Sequence, residues 1–331
     1  MMKHDLSVIG AGSYGTSLAI VAASKGLRVM LWDRKQQRAQ AMQRNRVNSQ
    51  YLDGITFPDS LTVTSSLEEA VSSSLRLLVV VPSVTFKDVI TDIAEYITKQ
   101  HILAWATKGL SLDGRFLSDV AREILPFKIP LAILSGPTFA RELAKGLPTA
   151  ISVASDPPDV ASKICAFMHT DTFRLYESTD MIGLQVGGAV KNVIAIAAGM
   201  SDGLGYGANA RTAVITRGLA EMVRFGVACG ARERSFMGLS GFGDLILTCT
   251  DDQSRNRRFG VLTGRGMPVN NALKEIGQVV EGYSMISVVK DLAFRMHLEM
   301  PICSELYEVL YCGKNGGDAA RALLTRELKS E

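Results

Sequence analysis

The sequence predicts an α/β protein that combines an N-terminal doubly wound sheet with an all-α C-terminal domain. Apolar segments typical of buried strands alternate with helix-spaced segments up to about residue 180, and a glycine-rich turn joins the first strand to the first helix. Past Asp180 the strand pattern fades. The chain has 331 residues, about twice the usual ~150 residues of a domain, so two domains are expected.

Eight N-terminal segments are rich in Val, Ile and Leu and are bounded by turn residues, which is typical of strands in a parallel sheet. After the fourth segment, Phe86, Val89, Ile90, Ile93 and Ile97 recur at intervals of three and four, which predicts a helix packed on that sheet. The predicted strands are residues 6–9, 28–32, 61–64, 75–81, 102–106, 131–134, 150–154 and 173–176.

The second half of the chain is rich in Ala, Gly and Leu at helical spacing, which predicts a helical domain. We therefore divide the chain into a cofactor domain, 1–180, and a helical substrate domain, 181–331, with a boundary between 175 and 185. Apolar helices on the surface of the second domain would favour a homodimer.

Composition excludes several classes of function. A net charge of +3, from 36 basic and 33 acidic residues, is too small to predict a nucleic-acid surface, whereas a local site for a small anion remains open. The beginning of the chain lacks the apolar core of a secretory signal, and the longest apolar runs fall well short of the ~18 residues of a membrane span. We expect a cytoplasmic protein without a membrane span. Five cysteines without a C-x-x-C pair and four scattered histidines predict reduced thiols and no structural metal.

A G-x-G-x-x-G motif lies between the first predicted strand and the first predicted helix. Gly10 makes the tight turn, Gly12 lets backbone amides approach a pyrophosphate, and Gly15 lets the helix pack closely on the strand. Ser13 and Tyr14 lie in the turn and are expected to contact the cofactor. The motif predicts a Rossmann-type dinucleotide site; the alternative is a glycine-rich turn in another kind of α/β protein.

The identity of the dinucleotide depends on the end of the second strand. Asp33 follows Gly15 by 18 residues, where an acid that binds the ribose 2′-hydroxyl of NAD is expected. Arg34, followed by Lys35 and Arg38, could instead neutralise the 2′-phosphate of NADP. We expect both NAD and NADP to bind, with NADP slightly preferred.

Substrate chemistry is expected beyond the carboxyl ends of the strands. Lys108 follows the fifth strand, and its alternative role is that of a solvated loop residue. Gly136, Pro137 and Thr138 form a turn after the sixth strand that could present amides and a hydroxyl to an anion.

Lys191 lies within a long apolar helical segment, where burial disfavours the charged form of an amine. Such a lysine is a candidate acid/base. The alternative is an ammonium group that reaches water from a buried helix.

Two later segments carry further candidates. Asp244 follows a flexible glycine pair, and Ser254 caps a predicted helix whose first residues, Arg255 and Asn256, favour phosphate binding. A basic solvated helix face is the alternative. Glu281 is unremarkable on its own.

The order of these motifs resembles that of the bacterial-type, NAD(P)-dependent glycerol-3-phosphate dehydrogenases. One departure is Tyr14, where a tryptophan is common in that family. The motifs that carry the resemblance are GAGSYGTSLA at 10–19, ATKGL at 106–110, LSGPTFARE at 134–142, GLPTA at 146–150, GGAVKNVIAIAAG at 187–199, TRG at 216–218, GLSGFGDLILTC at 238–249, SRNRRFG at 254–260 and VVEG at 279–282.

The resemblance implies a cytosolic enzyme that interconverts dihydroxyacetone phosphate and sn-glycerol 3-phosphate and supplies glycerophospholipid synthesis. Lys191 would be the acid/base, with its pKa lowered by the charge of Lys108 and its ammonium oriented by Asp244. The implied substrate contacts are Lys108, Gly136, Thr138, Lys191, Asp244, Ser254, Arg255 and Asn256. The implied cofactor contacts are Ser13, Tyr14, Arg34, Lys108, Ala140, Arg255, Val279 and Glu281.

Two other functions remain open at this point. One is a dehydrogenase of the same architecture that acts on a hydroxy acid or a sugar acid. The other is a sensor that binds NAD(P) without turnover.

Overall fold

A computed structural model describes residues 3–325, so residues 326–331 of the predicted helical domain lie outside the described part. The strands are β1 (Leu6–Ile9), β2 (Val29–Trp32), β3 (Leu61–Thr64), β4 (Arg76–Val79), β5 (Ile102–Trp105), β6 (Leu131–Ser135), β7 (Thr149–Asp156) and β8 (Phe173–Ser178). The helices among and after them are α1 (Ser13–Ser24), α2 (Gln36–Asn45), α3 (Leu67–Ser72), α4 (Ser83–Ala94), α5 (Leu117–Ile124), α6 (Ala140–Ala144), α7 (Asp159–Met168), α8 (Met181–Gly203), α9 (Gly207–Ala228), α10 (Asp244–Thr250), α11 (Arg255–Gly264), α12 (Val269–Ile276), α13 (Glu281–Arg295), α14 (Pro301–Cys312) and α15 (Gly316–Leu324).

The strands form one sheet in the order β3-β2-β1-β4-β5-β6-β7-β8, and β1 to β6 run parallel. This is the doubly wound order, in which successive strands are added toward one edge of the sheet up to β3 and toward the other edge from β4 onward, and ligands bind at this switch between β1 and β4. All eight predicted strands are present, and the predicted fold class is confirmed.

The structure differs from the prediction at β7, which runs antiparallel to β6. The helix between them, α6, has only five residues and spans about 8 Å, too short to return the chain along the sheet for a parallel strand. Two helix bounds also differ. The helix α1 begins at Ser13, inside the G-x-G-x-x-G motif rather than after it, and α4 ends at Ala94, so Ile97 packs beside the helix from the following turn.

In the described part of the chain, up to residue 325, every element after β8 is a helix. Asp180 caps α8, because one carboxylate oxygen accepts the Gly183 N–H at 2.8 Å while the other accepts the Arg232 N–H at 2.7 Å. The change in secondary structure therefore falls at the predicted place, and the division into two domains there remains a prediction.

The central element of the helical part is α8, which is apolar on all sides and packs against α9, α10, α11 and α13. Its length and composition would suffice for a membrane span, but 83% of that span is buried inside the protein, as in the core helix of a folded domain. The helix α11 lies very close to α8, since a Cβ on Gly260 would lie 2.1 Å from the carbonyl oxygen of Ile196.

Candidate active site

The glycine-rich turn fits a dinucleotide pyrophosphate. A Cβ on Gly15 would lie 1.9 Å from the carbonyl oxygen of Gly10, so only glycine allows α1 to begin so close to β1. Gly12 caps α1 without a side-chain hydrogen bond, and no atom lies within 4 Å of where its Cβ would be. Because no side chain caps α1, the first-turn N–H groups of this helix are available to bind an anion.

Two lysines meet on one carboxylate near the ends of β5 and β6. Lys191 Nζ lies 2.5 Å from Asp244 Oδ1, and Lys108 Nζ lies 2.8 Å from Asp244 Oδ2. Lys108 also donates to the carbonyl oxygen of Gly136 at 2.8 Å, and Lys191 donates to Thr248 Oγ1 at 2.9 Å. We call Lys108, Lys191 and Asp244 the amine network.

Local structure holds each member of this network in place. Lys108 follows β5, Lys191 lies in the middle of α8, and Asp244 is the first residue of α10. A π-helical turn, Leu239–Gly243, directly precedes Asp244; such turns are frequent at functional sites. Side-chain exposure is 6% for Lys191 and 1% for Asp244, so Lys191 does not reach out to water.

The two amines differ in basicity. Burial lowers the pKa of Lys191 to about 7; the Asp244 charge opposes this effect, and the Lys108 charge adds to it. Repulsion from Lys108 thus acts in the predicted direction, but burial is the larger cause. At Lys108, burial also lowers the pKa, but the Asp244 charge outweighs it and raises the pKa above the ordinary value. Near neutral pH the network therefore holds one permanent ammonium and one amine that titrates.

Tyr14 and Thr138 lie next to Lys108 and to its acceptor, Gly136. Lys108 Nζ lies 5.5 Å from the centre of the Tyr14 ring, within range of a cation–π contact. Burial raises the pKa of Tyr14, so its hydroxyl remains protonated. The Thr138 hydroxyl donates to the carbonyl oxygen of Gly136 at 3.1 Å. The structure thus brings the glycine-rich turn and the predicted substrate residues into one site.

A second group of side chains links the sheet to the helical part. Ser83, at the start of α4, donates to Glu281 Oε2 at 2.9 Å, and Glu281 is the first residue of α13. Burial raises the pKa of Glu281, and the hydrogen bond from Ser83 and the charge of Arg255 oppose this effect. Burial also lowers the pKa of the Arg255 guanidinium.

The predicted phosphate site lies at the N-terminus of α11. Ser254 caps this helix, since its hydroxyl accepts the Arg257 N–H at 3.2 Å. Asn256 is buried; its Nδ2 donates to Asn192 Oδ1 and its Oδ1 accepts the Gly282 N–H, both at 2.9 Å. Asn256 therefore connects α11 to α8, next to Lys191, and to α13.

The remaining predicted cofactor residues lie after β2, at the start of α6 and just before α13. Asp33 is buried directly after β2, and Arg34 beside it is exposed. Ala140 begins α6, which packs on α1. Val279 lies just before α13 and is 43% exposed.

Two side chains of the site, Thr248 and Asn192, are not predicted from the sequence. Thr248 lies one helical turn after Asp244, so the i, i+4 spacing would have placed both on one face of α10. Asn192 is a second polar residue in the apolar segment around Lys191, and it binds Asn256.

Comparison with known proteins identifies the family. Models described as the N-terminus and C-terminus of NAD-dependent glycerol-3-phosphate dehydrogenase match residues 5–161 and 180–321. The chain is 56% identical over 328 residues to the glycerol-3-phosphate dehydrogenase [NAD(P)+] of Tolumonas auensis, covering 98% of each chain. It is 55% identical over 329 residues to the enzyme of the same name from Escherichia coli strain K12 / DH10B, covering 99% of this chain and 97% of the relative.

A solved structure agrees with this assignment. The glycerol-3-phosphate dehydrogenase from Coxiella burnetii superposes with a TM-score of 0.95 at 41% identity, covering 98% of this chain and 100% of that one. The predicted resemblance is confirmed: the chain belongs to the NAD-dependent glycerol-3-phosphate dehydrogenase family and is an NAD(P)-dependent oxidoreductase.

Proposed function

We propose that the chain catalyses the reversible, NAD(P)H-dependent reduction of dihydroxyacetone phosphate to sn-glycerol 3-phosphate, supplying glycerophospholipid synthesis in the cytoplasm. The observation that carries this proposal is the amine network, a titrating lysine and a permanent ammonium held on one buried carboxylate beside the glycine-rich turn. Five free cysteines, mostly buried, suit a reducing compartment. In this proposal residues 1–180 bind the cofactor and residues 181–331 contribute Lys191.

Lys191 acts as the general acid and base. As an ammonium it has three N–H donors; Asp244 and Thr248 accept two, which leaves one for the carbonyl oxygen of the substrate. The bound reduced cofactor supplies a hydride to the carbonyl carbon, C2. Lys191 then gives its proton to the oxygen as negative charge develops there. A pKa of about 7 allows both the ammonium and the neutral amine to form near neutral pH, as a reversible reaction requires.

Asp244 and Lys108 keep the charge of the site balanced during this transfer. When Lys191 loses its proton, the Asp244 carboxylate still faces the Lys108 ammonium at 2.8 Å, so no buried charge is left without a partner. The Lys108 ammonium also supplies positive charge near the reacting oxygen. This arrangement avoids the large cost of an isolated buried ion.

The phosphate group of the substrate binds at the start of α11 in this proposal. Arg255 contributes a planar guanidinium, and the N-terminus of a ten-residue helix adds partial positive charge. Binding a remote phosphate fixes C2 relative to Lys191 and lowers the entropic cost of the reaction. A substrate without a phosphate would lose this orientation.

The test is to measure NADPH and NADH oxidation with dihydroxyacetone phosphate, with unphosphorylated dihydroxyacetone and with short 2-oxo acids. We expect kcat/KM for dihydroxyacetone phosphate to exceed the others by about 10² or more, since charge-assisted contacts to phosphate contribute roughly 1.5–3 kcal/mol each. Comparable turnover of a 2-oxo acid would contradict the proposal. Cofactor binding with no turnover of any carbonyl compound would support a sensor instead.

A further inference from the structure

The carboxylate expected to bind the adenosine ribose already has two donors. Asp33 follows β2, and its side chain has no exposed surface. Its Oδ1 accepts the backbone N–H of Lys35 at 2.8 Å, and its Oδ2 accepts Arg38 Nε at 2.5 Å. The acid at this position is therefore part of a buried ion pair.

Arg38 is fixed on its other side as well. Its Nη1 donates to Gln50 Oε1 at 3.1 Å and to the Tyr51 hydroxyl at 3.3 Å. The guanidinium carbon lies 5.1 Å from the centre of the Tyr51 ring, and the side chain is 20% exposed. These contacts hold the guanidinium against Asp33.

This pair changes the charge that a dinucleotide would meet. A bare carboxylate binds a ribose 2′-hydroxyl but repels a 2′-phosphate. The Arg38 charge cancels that of Asp33, and the neighbouring Arg34 is exposed and positively charged. The net charge of these three residues is therefore positive, which suits a phosphorylated ribose.

We propose that Arg38 determines the acceptance of NADP by neutralising Asp33, whereas Arg34 contacts the 2′-phosphate itself. This inference rests on the dinucleotide site proposed above, and it gives Arg38 a role other than the one open from the sequence, in which Arg34, followed by Lys35 and Arg38, could neutralise the 2′-phosphate. Arg38 is a positioning residue here: its effect on cofactor choice depends on the presence of the Asp33 charge.

A double-mutant cycle tests the dependence on Asp33. The variants are Arg38→Ala, Asp33→Asn and the combination of both, and the measurement is the ratio of NADPH to NADH dissociation constants by fluorescence titration without substrate. The probes adenosine 2′,5′-bisphosphate and adenosine 5′-monophosphate, titrated by calorimetry, give the same ratio without the nicotinamide. We expect Arg38→Ala to shift both ratios against the 2′-phosphate by about 30-fold, because the carboxylate is then unpaired.

In the Asp33→Asn background, removal of Arg38 should change the ratio by less than about threefold. An equal loss in both backgrounds would overturn the inference, since it would make Arg38 a direct phosphate ligand. Arg34→Ala is the matched control and should raise the ratio by a similar factor whether or not Asp33 is present. If Arg38→Ala does not fold, Arg38→Gln removes the charge while keeping a polar side chain. The same two ratios, measured with and without Asp33→Asn, then show whether the effect of Arg38 depends on the Asp33 charge.

The outcomes separate this inference from the proposed function. Retained binding of both dinucleotides with an unchanged ratio in Arg38→Ala would refute only the role of Arg38. Absence of dinucleotide binding by the unmodified protein would refute the cofactor site itself.

Discussion

Two buried carboxylates in this protein hold cations of different kinds. Asp244 binds Lys108 and Lys191, whereas Asp33 binds Arg38, and all three cations lie within 2.8 Å of a carboxylate oxygen. An amine in a buried site can lose its proton, and burial lowers the pKa of Lys191 to about 7. A guanidinium keeps its charge under the same conditions. The lysine pair is therefore suited to proton transfer, and the arginine pair to recognition.

The largest expected effect comes from exchanging the kind of cation at the amine network. Lys191→Arg keeps a positive charge but removes a group that titrates near neutral pH, so we expect kcat to fall by about 10²–10⁴. Lys191→Met removes the charge as well, and we expect it to lower kcat by a factor in the same range. The measurement is kcat for reduction of dihydroxyacetone phosphate at saturating NADPH.

The control for this exchange is Lys145→Arg, at an exposed lysine, which should keep full activity. Circular dichroism and the unfolding midpoint establish that each variant folds. A Lys191→Arg variant with more than about a tenth of the original kcat would show that charge alone suffices, and the assignment of Lys191 as general acid would be wrong.

A guanidinium used for recognition should affect binding more than chemistry. Arg255→Ala should raise KM for dihydroxyacetone phosphate, lowering kcat/KM by about 30-fold, while unphosphorylated dihydroxyacetone is used equally by both proteins. Arg258→Ala, at an exposed arginine on the same helix, is the matched control. Equal losses for the two substrates would place Arg255 away from the phosphate.

Whether an interaction can be predicted from the sequence depends on how far apart its residues lie along the chain. The glycine-rich turn is a local pattern, so Gly10 and Gly15 are found from spacing alone. Lys191 stands out because a charge in an apolar helix is costly. The donation from Ser83 to Glu281 joins residues 198 apart, and only the folded chain brings them together.

The sequence also does not show which ion pairs form or in which direction a strand runs. The sequence places Arg38 near Asp33 but does not show that its guanidinium faces the carboxylate rather than solvent. The reversal of β7 depends on the shortness of α6, and strand periodicity carries no information about direction. Residue types and elements were therefore predictable, whereas the Ser83–Glu281 contact, the Asp33–Arg38 ion pair and the direction of β7 were not.

The pH dependence sharpens the contrast between amine and guanidinium. Reduction requires the Lys191 ammonium, and its pKa is lowered to about 7, so kcat/KM for reduction should fall about tenfold per pH unit above that value. Oxidation requires the neutral amine and should instead lose rate below about pH 7. Rates of reduction and of oxidation measured from pH 5.5 to 9.5 test whether the two reactions depend on pH in opposite directions.

The substrate phosphate titrates near pH 6, so its ionisation affects the acidic side of the profile and leaves the alkaline fall of the reduction rate to the enzyme. A reduction rate that is flat from pH 7 to 9.5 would mean that Lys191 stays protonated throughout.

The smallest expected effect concerns the hydroxyl that orients Lys191. Thr248 donates to the backbone oxygen of Asp244 at 2.6 Å and accepts from Lys191 Nζ at 2.9 Å, so it fixes the direction of the remaining N–H donors. Thr248→Val preserves shape but removes this acceptor, and we expect kcat to fall about 3- to 10-fold, in keeping with ~1 kcal/mol for one hydrogen bond.

Thr248→Ser should restore most of that loss, because it keeps the hydroxyl, and Thr250→Val on the same helix should have no effect. The Thr248→Val variant should also move the alkaline limb of the reduction profile to lower pH, since the ammonium loses an acceptor that favours it. A purely structural role for Thr248 would lower the unfolding midpoint but leave this limb in place. The shift of the limb therefore separates orientation of the amine from packing of α10 against α8.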